Sequence, residues 1–209
     1  MVDQSRGDTM FDLTLPTLLT RLALLVPILA VYGFALTGAA RLLGDPGPTQ
    51  DGRLTANPMA HLDLLGALAF LVSGLGWITP LHLTPERLRP RFFALFAVML
   101  LPTAAMLALA WLAQRLVPIA INMDSLAWSA IVTRGLQTLA SSAVLFALIN
   151  LVPLPPLAAG ALLGRNGQVA EWLERRRLLV SVALIVIFAA GKIQLWLAPL
   201  VAAVLARLN

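Results

Sequence analysis

Charged residues punctuate this chain and divide it into long apolar runs. Leu22–Ala40 is uncharged and is bracketed by Arg21 and Arg41. Its 19 residues rise roughly 29 Å as a helix, about one bilayer core. Phe92–Gln114 is a second uncharged run, between Arg91 and Arg115. Gly135–Gly164 is a third, and Pro153, Pro155 and Pro156 interrupt it. Leu178–Ala206 carries Lys192 as its only charge. These four regions read as membrane helices. The run Leu64–Pro80 is apolar but short, and it contains Gly66, Gly74 and Gly76. It is either a short span or a re-entrant segment buried in protein; the span is favoured. Three prolines within four residues cannot continue an α-helix, so one helix is proline-broken. No tandem repeat or inverted symmetry is visible. The pattern predicts an all-α integral membrane protein. It would be a polytopic helical bundle of about five to six transmembrane segments, one of them re-entrant if 64–80 does not span. Residues 1–21 read as an N-terminal arm and residues 22–209 as a single transmembrane domain.

Composition sharpens that reading. Of 209 residues, 59% are hydrophobic and 12% charged, against about 25% charged in a soluble domain. A water-soluble globule and a disordered chain are excluded. There is no cysteine, so disulfides and thiolate metal sites are excluded too. A net charge of +5 would suggest nucleic acid in a soluble protein. Here the arginines lie between apolar runs and report membrane topology instead. Residues 82–91 hold Arg87, Arg89 and Arg91, and residues 164–177 hold Arg165, Arg175, Arg176 and Arg177. Both loops are expected to be cytoplasmic, with 115–127 opposite. The N-terminus is inside if 64–80 spans and outside if it re-enters. Asp3, Asp8 and Asp12 make the N-terminus unlike a secretory signal. Five tryptophans, Trp77, Trp111, Trp128, Trp172 and Trp196, are read as an interfacial belt. Fourteen arginines to one lysine suggest a GC-rich bacterial genome.

Candidate chemistry is sparse. His61 and Asp63 are two residues, too few for zinc, and His61 is expected to bond a neighbouring backbone or carboxylate group. Arg134 is expected to snorkel from a helix that starts near Leu126. Lys192 follows Gly191 and can mark a turn between two shorter helices. Asp45 and Asp63 are expected to be solvated. Asn150 precedes the prolines and can plug the carbonyls they orphan. Ala104 and Ala108, four apart, allow close helix contacts.

The motifs occur in one order: Tyr32-Gly-Phe-Ala-Leu36, Leu43-Gly-Asp-Pro46, Gly52-Arg-Leu-Thr-Ala-Asn-Pro-Met-Ala-His-Leu-Asp63, Gly74-Leu-Gly-Trp-Ile-Thr-Pro80 with Pro85, Leu100-Leu-Pro-Thr-Ala-Ala105 and Asn150-Leu-Val-Pro-Leu-Pro-Pro-Leu157. Taken together, over about residues 22–163, they resemble the site-2 protease family of intramembrane zinc metalloproteases, in the compact branch without a PDZ domain. That family holds zinc through two His at i and i+4 of a helix, with a Glu between as general base and a distal Asp. The resemblance puts Tyr32 and Leu36 at the His positions, Gly33 at the Glu position, Ala158 at the Asp position and Ala105 at an Asn position. It therefore implies no catalytic residue, no metal ligand and no cofactor, and a non-enzyme, a pseudoprotease. The expected role is an adaptor, regulator or accessory subunit of a membrane complex in a bacterial cytoplasmic membrane. Its expected partners are the lipid bilayer and transmembrane segments of a membrane protein, with no nucleic acid. Tyr32, His61, Asn150, Pro153, Pro155 and Pro156 are the candidate groove and partner-binding residues. The alternatives are a membrane metallopeptidase with a site relocated to His61, His82 and Asp63, or a small transporter or lipid-handling protein using the emptied groove.

Overall fold

The computed structural model describes residues 13–81, 83–84, 87–88, 91–163 and 168–208. It is helical, with elements α1 (Leu15–Leu42), α2 (Gly47–Gln50), α3 (Leu64–Ser73), α4 (Arg91–Ile121), α5 (Leu126–Asn150), α6 (Gln168–Arg175), α7 (Arg177–Ala189) and α8 (Lys192–Leu208). Two 3-10 turns, Pro58–His61 and Ala158–Leu163, complete the order. Thr14 opens α1 by accepting the Thr17 N–H, and Gly44 turns the chain away at φ 104°. Residues 15–21 of the expected arm thus belong to the first helix, and residues 1–12 lie outside the described set.

Among the described residues, three helices are long and apolar enough to cross a bilayer: α1, α4 from Phe96 onward, and α5. The pair α7 and α8 makes a fourth if its two arms count as one span. The five to six spans expected are not found among the described residues, which give three, or four. The first reason is Leu64–Pro80, which does not cross. Its helix α3 has ten residues, about 15 Å, half a bilayer core. The chain then turns back at Gly74, φ 77°, and Ile78 pairs antiparallel with Leu62. The Thr79 N–H donates to the His61 carbonyl at 2.9 Å and the Thr79 hydroxyl to the Leu62 carbonyl at 2.8 Å. The segment leaves where it entered, so the end of α1 and the start of α4 share one side. The glycines make the hairpin possible. A Cβ at Gly66 would overlap the Trp77 carbonyl, and one at Gly76 would overlap the Gly66 carbonyl.

A re-entrant helix must satisfy its own ends. Asp63 caps the start by accepting the Gly66 N–H at 2.9 Å. It also accepts Trp77 Nε1 at 3.1 Å and Arg177 at 2.9 Å. At the far end Arg21 donates to the Leu71 and Val72 carbonyls, both at 2.7 Å, and Gln194 to the Ser73 carbonyl at 3.0 Å. Asp63 is thus not solvated but the joint between α3, the extended segment 75–80 that returns from it (the return strand, paired by a single bridge) and α7. Asp45 is also buried, accepting the Gly47 and Thr84 N–H groups.

The second correction concerns breaks. The prolines end α5 at Asn150 instead of breaking a span, and a short 3-10 turn follows. The sharp bend in a span is at Gly191, where α7 and α8 meet at 67°. That turn was expected from Gly191-Lys192. The residues 164–177 taken as a loop include α6.

Helices α4 and α5 form the most extensive pair and α1 packs on α4. Their shared core takes Ile28, Tyr32 and Leu36 from α1, Val98 and Met106 from α4, and Ala143 and Ala147 from α5. A second cluster joins Ala69, Leu75, Trp77, Leu157, Leu184 and Phe188 around α3 and α7. The outward faces remain apolar: Phe34, Phe93, Ile119, Ile131, Val186 and Leu195 are all exposed. Such faces suit lipid, not water, and the protein is an integral membrane protein. Four tryptophans lie on the outside, but Trp77 is buried in the second cluster and leaves the expected belt. Ala104 and Ala108 also point outward; the alanines that α4 and α5 place in the shared core are Ala110, Ala113, Ala140 and Ala143, among others.

Candidate functional site

The centre of the fold lies where α1, the turn Pro58–His61, the return strand and the end of α5 converge. On α1, Tyr32 is fully buried and meets the edge of Phe146 from α5, with ring centroids 5.2 Å apart. Its hydroxyl is buried without a hydrogen-bond partner. Next to it, Gly33 leaves a notch that the His61 ring fills; a Cβ at 33 would overlap that ring. Asn57 sets up the His61 turn by accepting the Met59 N–H at 3.0 Å.

His61 is a structural joint. Its Nε2 lies 2.9 Å from the Thr55 carbonyl. A carbonyl only accepts, so Nε2 carries the proton and neutral His61 has a bare Nδ1. That Nδ1 is buried and unpartnered. Burial lowers the His61 pKa below its ordinary value; the Thr55 bond opposes this, and the nearby Arg53 charge adds to it. Arg53 meanwhile donates to the Thr79 and Pro80 carbonyls at 2.9 and 3.0 Å and pins the return strand. The backbone bond expected for His61 is present.

A pH dependence follows. The folded His61 pKa is depressed, so the unfolded chain binds the proton first on acidification. The stability contributed by neutral His61 is complete above the unfolded value of about 6.5 and is lost as pH falls from there toward the folded pKa. Unfolding in mixed micelles between pH 8 and pH 5 is expected to show this acid loss. His61→Gln is expected to flatten it.

Asn150 closes the site from the α5 side. It is fully buried. Its Nδ2 donates to the Gly76 carbonyl at 3.0 Å and the Phe146 carbonyl at 2.9 Å, and its Oδ1 accepts the Ala158 N–H at 3.2 Å. One side chain thus ties α5 to the re-entrant strand and to the second 3-10 turn. Among the candidate groove residues, Tyr32, His61, Asn150, Pro155 and Pro156 are buried, and only Pro153, beside Val152, is exposed. His82 lies outside the described residues.

A zinc centre would need at least three nitrogen, sulfur or carboxylate donors. No group of three such residues occurs among the described residues. Leu36 and Ala158 are buried and offer no lone pair of that kind, and the Ala158 N–H is already held by Asn150. The notch at Gly33 is filled by His61. The residues at the positions that the resemblance assigns to the metal do not fit it.

The chain is similar to a curated bacterial protein. "Putative zinc metalloprotease YwhC" of Bacillus subtilis (strain 168) is 32% identical over 140 residues. The match covers 64% of this chain and spans 62% of the relative's length. It supports a site-2-protease-like relationship. No family model matches the chain, and no solved structure matches it. The expectation of a non-enzyme is overturned by this relative, whose description points to a protease.

Several residues that build the site escaped the sequence reading. Arg21, Arg53 and Asp45 act through backbone groups 26 to 51 positions away, which no local pattern announces. Phe146 had no signal beyond its place in an apolar run. Trp77 had one: it stands between Gly76 and Ile78, inside the segment whose glycines mark close backbone approach.

Proposed function

We propose that this site-2-protease-like membrane protein receives a polypeptide segment of a membrane protein at the Val152–Pro153 step, where α5 ends. The observation that carries this reading is that Pro153 is the exposed one of the six candidate groove residues. Val152 is 42% exposed, and Pro153 beside it has no N–H to occupy. The Val152 and Pro153 side chains offer an apolar surface for a passing segment. Behind them Asn150 and Pro155–Ala159 form a buried, hydrogen-bonded wall. A transmembrane or extended polypeptide suits such a surface better than a polar solute, because the exposed faces around it are apolar. Ala104 and Ala108 give α4 a second smooth outward surface for a partner helix. The relative's description as a protease supports a polypeptide as the class of ligand. Binding and positioning of the segment are the steps assigned to this chain's own residues.

The setting is a bacterial cytoplasmic membrane, with 82–91 and 164–177 on the cytoplasmic side by their arginine content. With 64–80 re-entrant, the start of α1 lies on the opposite side.

A photo-crosslinking amino acid at Pro153, introduced in cells of the native source, tests the reading. A discrete adduct with a membrane polypeptide is expected from 153 and not from Trp196, which is 85% exposed on α8. The fate of the captured polypeptide, intact or cut, is read from the same gel. Equal labelling from both positions would sink the proposal.

A further inference from the structure

We propose that a groove at the α4–α5 turn, far along the chain from the site above, binds the phosphate-bearing headgroup of an anionic phospholipid. The groove is lined by Ile121, Leu126, Ser129, Thr133, Arg134 and Gln137 among others. Arg134 is exposed there, and its guanidinium makes no hydrogen bond or ion pair among the described residues. It lies eight residues into α5, which begins at Leu126, about 12 Å along the helix. That depth is within reach of the headgroup layer for a long side chain. A charge so placed needs a counter-charge, and the forked guanidinium matches phosphate oxygens. Further polar capacity faces the same groove. Gln137 is exposed, and the Thr133 hydroxyl oxygen is shielded without a partner. Ser129 is not free, because it donates to the Ile121 carbonyl at 3.2 Å.

The rim identifies the source of the phosphate. Leu126, Trp128 and Ile131 are 86%, 61% and 61% exposed. Large apolar side chains beside an unpaired cation suit a headgroup that arrives with acyl chains. A free phosphate ion would leave that rim uncovered. Arg115, on α4 six residues before its end, stacks over Trp111 at 5.6 Å and adds a second cation to the same end of the hairpin.

Native mass spectrometry of the full chain in mild detergent tests this, with phosphatidylglycerol and phosphatidylcholine of identical chains as probes. The first phosphatidylglycerol is expected to bind about fivefold or more tighter than phosphatidylcholine, the scale of one arginine–headgroup attraction. Arg134→Gln is expected to abolish the preference, and Arg134→Lys to keep part of it. Arg207→Gln, near the C-terminal end of α8 and not among the groove's lining residues, is expected to change nothing. Equal binding of the two lipids, or a preference indifferent to Arg134→Gln, would overturn the proposal. Complete displacement by millimolar inorganic phosphate would overturn it in favour of a free-ion site. An Arg134-dependent second copy of the chain in the spectrum would overturn it in favour of self-association.

Discussion

Gly33→Ala is expected to destabilise the protein by about 2–3 kcal/mol, the upper part of the range for overpacking a rigid core. The new Cβ overlaps the His61 ring itself, not the far end of a flexible side chain. His61 cannot simply step aside. Its Nε2 is held by Thr55, and its backbone carbonyl accepts the Thr79 N–H that anchors the return strand. Unfolding in mixed micelles with rising SDS would measure the loss. A double-mutant cycle separates the cause. His61→Ala costs stability alone, yet in its presence Gly33→Ala should become nearly neutral. Additive losses would mean that the notch is not what couples the two positions.

Asn150→Ala is expected to cost about 3 kcal/mol, because it strands buried partners instead of removing a matched pair. The Gly76 carbonyl and the Ala158 N–H lose their side-chain partner at once. Asn150→Asp should be no better. A carboxylate still accepts from Ala158 but faces the Gly76 and Phe146 carbonyls with no proton to donate. Beyond the loss of stability, the re-entrant hairpin should loosen before the long helices do. The absence of cysteine makes that measurable: a single cysteine placed at Leu75, fully buried in the native fold, should become reactive to a thiol reagent in Asn150→Ala. A cysteine at Ile28, in the α1 core, should stay protected.

The parts of this fold that were readable from sequence are those set by local composition. Charge-bounded apolar runs located α1, α4 and α5, and Gly191 located the α7–α8 turn. The placement of Arg134 near the start of α5 also followed from sequence. The parts that were not readable depend on pairings across the chain. Arg21 meets Leu71 across 50 positions, Asn150 meets Gly76 across 74 and Asp63 meets Arg177 across 114. Hydropathy cannot tell a short span from a hairpin when both are apolar, so 64–80 was favoured as a span. The glycines at 66 and 76 were the available signal, since they permit one backbone to lie against another. Asp45 and Asp63 were read as solvated because segment ends usually are. Here their carboxylates instead satisfy backbone N–H groups that burial would otherwise strand. The candidate site was legible as a set of motifs, and His61 was legible as a backbone-bonded residue. That Pro153 alone among the six candidates is exposed could not be read from spacing.

The positions that the resemblance assigns to the zinc ligands are packed shut: the His61 ring fills the notch at Gly33, and Leu36 and Ala158 are buried. Metal content decides whether that packing excludes zinc. The full chain would be purified in mild detergent without chelator, with zinc added during growth, and zinc per chain determined by inductively coupled plasma mass spectrometry. The packing predicts zinc far below one ion per chain, unchanged in His61→Gln. One tightly held zinc per chain would contradict it and would mean that other donors converge to form the centre.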